Sequence, residues 1–186
     1  TMKQTRPGGA ARLRPRSVSA SMSFALGNAF AGPRRERYLG IDPGLNRTGY
    51  TLLRRAAAGP YLEEAGVITS TRDLTLAERV TEIGQGIVEV IEEFEPEAIA
   101  IEQVFSHGQF PKTAIMMAHA RGAILFAAAT RGIPVVHYTP TQVKRLLTGS
   151  GRAAKEQIQL AVQRELGLSA ILEPNDVADA CAVALC

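Results

Sequence analysis

A chain of 186 residues with 46% hydrophobic and 21% charged side chains is long enough to bury one sizeable core and reads as a single folded domain. Its two cysteines, Cys181 and Cys186, exclude a disulfide framework and a four-cysteine metal knuckle, and read as free thiols of a reducing, cytoplasmic compartment. The net charge of +3 is unevenly spread: residues 1–37 hold eight Lys/Arg against Glu36 alone, which leaves residues 38–186 with 13 bases and 17 acids. The basic character therefore belongs to the N-terminal segment and is not by itself a sign that the domain binds nucleic acid.

Residues 1–36 show no sustained hydrophobic period and are rich in Arg, Ser, Ala and Gly. A disordered basic arm, an organellar transit peptide and sequence upstream of a later start at Met22 compete here, and the flexible arm is the favoured reading. The sequence features that carry chemistry all fall in residues 37–186. "RYLGIDPG" predicts a short strand ending at a Pro43-Gly44 turn. "RTGYTLLRR" and, after Gly59-Pro60, "YLEEAGVITS" predict two more strands, and their close spacing makes the three an antiparallel meander. Over residues 75–95, Leu76, Val80, Ile83, Ile87, Val90, Ile91 and Phe94 recur at helical steps, with the acids forming a solvated face.

"EAIAIE" predicts a buried strand ending at Glu102, followed by a loop and a helix from about Lys112 to Thr130. That helix is apolar nearly all round, so one face is expected on the sheet and the other, carrying Ala118 and Gly122, on a second subunit. No stretch is expected to be long and apolar enough to span a membrane; the nearest, Ala114–Ala129, is interrupted by His119 and Arg121. "IPVVHY" predicts a strand, "PTQVKRLLTG" a short helix stopped by Gly149, and two further helices cover roughly 153–166 and the C-terminal "NDVADACAVA". The order βββαβαβααα predicts a mixed sheet flanked by helices.

Asp42 and Glu102 each terminate an apolar strand, where a buried charge is costly unless it is paired or bound to a cation. Asp176 and Asp179 lie one turn apart at the head of the last helix. There Asn175 or Asp176 is a good N-cap and first-turn acids complement the dipole, which explains Asp176 better than Asp179. If the two strands are neighbours and the last helix crosses their ends, all four carboxylates meet. Such a set suits Mg²⁺ or Mn²⁺, and two ions of this kind activate water and stabilise the leaving oxygen in phosphodiester hydrolysis. Taken singly, a turn aspartate or a strand-end glutamate is ordinary; the four together are much less so. His107, His119 and His137 lack ligand spacing and read as structural or loop residues.

"GIDPGLNRTGY", "AIAIEQVF", "AHARGAILFAA", "QVKRLLTG" and "NDVADACAVA" resemble, in order and spacing, the RuvC family of Holliday junction resolvases, from Tyr38 to Cys186. The resemblance implies an RNase H-like α/β fold and a homodimer that cuts four-way DNA junctions symmetrically in recombination and repair, with the help of a branch-migration motor complex. It implies Asp42, Glu102, Asp176 and Asp179 as catalytic metal ligands for Mg²⁺ or Mn²⁺, two ions per site. It also implies Phe105 as an aromatic that stacks at the junction centre, and Lys144 and Lys155 as lysines near the scissile phosphates. The stretch Ser106–Pro111 departs from the family pattern by one residue. An actin-like ATPase would need a second lobe that 186 residues lack. An RNase H-like nuclease acting on RNA or hybrid and a non-catalytic junction-binding module remain as alternatives, the second disfavoured because a carboxylate cluster repels phosphate.

Overall fold

The computed structural model describes residues 36–104 and 111–186. The N-terminal segment through residue 35, Phe105 and His107 lie outside the described residues. Ten elements follow in the expected order: β1 (Arg37–Asp42), β2 (Arg47–Ala56), β3 (Gly59–Thr69), α1 (Leu76–Phe94), β4 (Ala98–Glu102), α2 (Pro111–Thr130), β5 (Val135–Tyr138), α3 (Pro140–Thr148), α4 (Lys155–Glu165) and α5 (Asn175–Ala184). The sheet runs β3-β2-β1-β4-β5. Short turns allow only antiparallel neighbours, so β1, β2 and β3 form a meander. Gly59, at φ 118, supplies the left-handed step that closes the second hairpin. The helical crossovers through α1 and α2 then set β4 parallel to β1, and β5 parallel to β4.

Side chains alternate across a strand, and both faces of the sheet are covered. Leu39, Ile41, Leu52, Ile99 and Ile101 are buried on one face against Ile83, Ile87 and Ile91 of α1 and Ala120 and Ile124 of α2. On the other face Leu53 and Ala100 meet Val143 of α3, Ile158 and Val162 of α4, and Cys181 and Val183 of α5. Thr75 caps α1 in a reciprocal box with Glu78. Gly149, in the left-handed conformation, stops α3. Both cysteines are free thiols.

Two expectations are corrected. The N-cap of α5 is Pro174, with no side-chain capping bond, so neither Asn175 nor Asp176 caps it. Asn175 Oδ1 instead accepts from Gln159 Nε2 at 3.1 Å, and the Asp176 carboxylate is taken by an arginine. Secondly, α2 is long and apolar enough, by length and composition, to cross a membrane, with a best-window mean hydropathy of 1.2. Its many Ile, Leu, Met and Ala residues outweigh His119 and Arg121. Within the fold its buried residues Ala120, Ile124, Ala127 and Ala128 serve the core beside α1, while Ile115 and Phe126 are exposed at 54% and 72%.

Candidate active site

The parallel register that pairs Ile41 with Ile101 puts the next residues, Asp42 and Glu102, side by side at the carboxyl ends of adjacent strands. That edge is where open α/β sheets place their ligands. Helix α5 is brought to the same edge by two glycines and one hydroxyl. Gly40 and Gly49 lie so close to α5 that a Cβ on either would collide with the Ala180 or the Asp176 carbonyl oxygen. Thr51 Oγ1, buried between the layers, donates to the Val177 carbonyl at 3.2 Å. The first turn of α5 is thereby pinned flat on β1 and β2, with Asp176 and Asp179 at the strand ends.

The electrostatics record this crowding. The half-buried Asp42 carboxyl is pushed up to about 7, first by burial and then by the charges of Asp179, Glu102 and Asp176. Glu102 is also raised, by burial and by Asp179, with Lys144 opposing. The two helix aspartates each hold a cation: Asp176 Oδ2 pairs with Arg47 Nε at 2.8 Å, and Asp179 Oδ2 with Lys155 Nζ at 2.9 Å. Glu102, Lys144, Lys155 and Asp179 line one cleft of about 250 Å³. Lys155 opens α4, so a phosphate in that cleft would also face a helix N-terminus.

Among the described residues, no three carboxylate, histidine or cysteine groups are drawn together tightly enough to cage a metal ion. Asp176 and Asp179 each face their own cation, Arg47 and Lys155. The donor chemistry nevertheless fits a hard divalent cation: four oxygen-bearing acids, no sulfur, and a burial and mutual repulsion that together favour a proton on Asp42 near neutral pH. A cation that loosens the two pairs and relieves that repulsion is the natural occupant.

The structure thus brings Asp42, Glu102, Asp176, Asp179, Lys144 and Lys155 into one region, and Phe105 lies outside the described residues. Sequence reasoning missed Arg47, Gly40 and Gly49, although glycines inside predicted strands were a readable sign of close backbone approach. It also missed Arg121, whose Nε donates to the Glu102 carbonyl at 3.2 Å and whose Nη2 donates to His137 Nδ1 at 2.7 Å. Burial and Arg121 together lower the His137 pKa. His119 Nδ1 lies 2.7 Å from the Ile115 carbonyl, so both described histidines make structural contacts, as expected.

Comparison with known proteins bears on this arrangement. The family profile "Crossover junction endodeoxyribonuclease RuvC" matches residues 38–186. A protein of that name from Rhodopirellula baltica is 55% identical over 148 residues, covering 80% of this chain and 83% of its own. Another from Syntrophomonas wolfei is 43% identical, covering 81% and 87%. The solved structure of T. thermophilus RuvC in complex with Holliday junction substrate is 38% identical with a TM-score of 0.75, covering 81% of this chain and 91% of that one. The chain belongs to the RuvC family of crossover junction endodeoxyribonucleases, and its fold is the RNase H-like one.

Proposed function

We propose that this chain resolves four-way DNA junctions in recombination and repair by metal-dependent phosphodiester hydrolysis, with Asp42, Glu102, Asp176 and Asp179 as the catalytic ligands. The carrying observation is the gathering of these four acids at one sheet edge, where burial first and then the charges of the other three raise the Asp42 carboxyl to about 7. Mg²⁺ or Mn²⁺, two ions to a site, would supply the activated water and the stabilisation of the leaving 3′ oxygen.

The chain's own groups divide the remaining work. Asp42 and Glu102 are donors fixed by strand backbone, and Arg121 steadies the Glu102 carbonyl. Asp176 and Asp179 are donors on a helix held by Gly40, Gly49 and Thr51, and their partners Arg47 and Lys155 become available to phosphate when the acids turn away. Lys144 and Lys155 line the cleft beside Glu102, where they neutralise the strand being cut. Phe105, three residues beyond β4, stacks at the open centre of the junction. The uncovered face of α2, a groove of about 650 Å³ lined by Ala118, Gly122 and Ile115 among others, takes a second copy of the chain, so that two sites make paired cuts. A branch-migration motor is the partner complex, and the free thiols suit a cytoplasmic enzyme. Residues 1–36 serve as a basic arm and 37–186 as the nuclease domain.

A synthetic mobile four-way junction incubated in parallel with Mg²⁺, Mn²⁺ and EDTA tests the proposal. Paired symmetric nicks with either ion and none in EDTA are expected. Cleavage in EDTA, or equal cutting of an RNA–DNA hybrid, would overturn it.

A further inference from the structure

A second groove of about 420 Å³ is lined at one end by Asp176 and shares no lining residue with the cleft of Lys144 and Lys155. Three cations line it: Arg47 from the start of β2, Arg79 from α1 and Lys112 from the first turn of α2. Arg79 is the telling one. Its Nε donates to Ser70 Oγ at 3.1 Å, and its Nη2 donates to Asn46 Oδ1 and to the Leu45 carbonyl. All three acceptors are neutral. Among the described residues no carboxylate pairs with this half-buried guanidinium, and its Nη1 carries no hydrogen bond. Arg37 and Arg131, by contrast, end on Glu63 and Glu92.

Arg37 and Arg131 neutralise acids, whereas Arg79, like Arg121 beside Glu102, is clamped in a fixed direction by neutral acceptors, with no carboxylate partner among the described residues. A fork held this way loses little freedom when it meets an anion, which is what makes guanidinium suited to phosphate. Lys112 is exposed and makes no ion pair among the described residues. Arg47 is half-exposed and shares its charge with Asp176, so it stands where the groove meets the candidate active site. Met116 and Met117 add an apolar wall against which sugars or bases can pack.

We infer that Arg79, Lys112 and Arg47 form a track for the phosphodiester backbone of the DNA strand that runs into the acid cluster from the β2 side. It complements the lysines of the separate cleft beside Glu102. The inference rests on the junction-resolving reading, and is tested by binding so that the two can fail separately. Arg79 preorganises the track, Lys112 guards its outer end, and Arg47 passes the strand to Asp176.

The test uses the full chain and a fluorescent four-way junction in EDTA. For Lys112→Gln and Arg79→Gln, we expect the dissociation constant to rise several-fold, and the slope of log K against log salt between about 50 and 200 mM to fall by about 0.9 for each cation removed. Arg79→Lys, which keeps the charge but not the fork, should recover most of the slope and only part of the affinity. Arg55→Gln, at the far end of β2, should change neither. Neutral methylphosphonates placed singly at the phosphates flanking the cut should weaken wild-type binding at one or two positions. At one of those positions they should cost Lys112→Gln nothing further. Unchanged slopes for Lys112→Gln and Arg79→Gln, or losses matched by Arg55→Gln, would overturn the track. Wild-type cleavage of the unmodified junction with Mg²⁺ judges the parent reading on its own.

Discussion

Replacing Asp42 by Asn should stabilise the metal-free protein while abolishing its activity. The side chain keeps its shape, but the charge that burial and three neighbouring acids disfavour is gone. Its folded-state carboxyl sits at about 7 against 3.8 for an ordinary aspartate. Each unit is about 1.4 kcal/mol, so burial and repulsion together cost the charged form at most about 4 kcal/mol at pH 8. Asp42 is only half-buried, and an Asn amide brings donors that need partners, so we expect a net gain of about 1–3 kcal/mol. At roughly 3 °C per kcal/mol for a domain of this size, Tm should rise by about 3–9 °C in EDTA at pH 8.

The sign of the pH dependence follows. Between pH 3.8 and about 7 the folded protein holds a proton on Asp42 that the unfolded chain has released. Wild-type stability therefore falls as pH rises through that window, and the deficit is complete above it. The advantage of Asp42→Asn should shrink as pH is lowered and vanish near pH 4. Thermal melts of both proteins across this range measure it, and saturating Mg²⁺ should narrow the gap at pH 8 by stabilising wild type more. A variant that melts at or below wild type at pH 8 in EDTA, by a margin that does not change with pH, would refute the electrostatic account of the cluster.

Glu102→Gln, Asp176→Asn and Asp179→Asn should each lose junction cleavage while binding the junction as tightly as wild type or more so; gel shifts beside single-turnover cutting decide this. Gly49→Ala should cost a few °C in Tm and most of the activity together, since the new methyl displaces the Asp176 backbone, and a melt plus a cleavage assay would show the two losses travelling together. Gly122→Arg should fold normally, because a Cβ there meets nothing within 4 Å, yet sediment as a monomer and make unpaired nicks. Phe105→Ala should slow cutting of intact junctions, removing stacking worth roughly 1–3 kcal/mol per base, and be partly rescued by a junction with unpaired bases at its centre, with little change in melting temperature.

Much of this architecture is local and legible in the sequence. Period-two and period-3.6 patterns, Gly59, the Thr75–Glu78 box and the Gly149 stop are each decided within a few residues, so element order follows from them. Asp42 and Glu102 were visible as acids at the ends of apolar strands, and short turns against helical crossovers already dictated which strands pair antiparallel. Only the tertiary structure decided what the acids do with their charge. That Asp176 turns to Arg47 rather than capping α5, and that Asp179 turns to Lys155, depends on residues 129 and 24 positions away, chosen by where α5 lies on the sheet. That placement rests on two missing side chains, at Gly40 and Gly49, whose meaning appears only once the helix they admit is present. That Arg79 meets no carboxylate among the described residues is a matter of which acceptors surround it. Charge compensation is settled through space, among groups far apart in sequence, and so it is read from the folded chain.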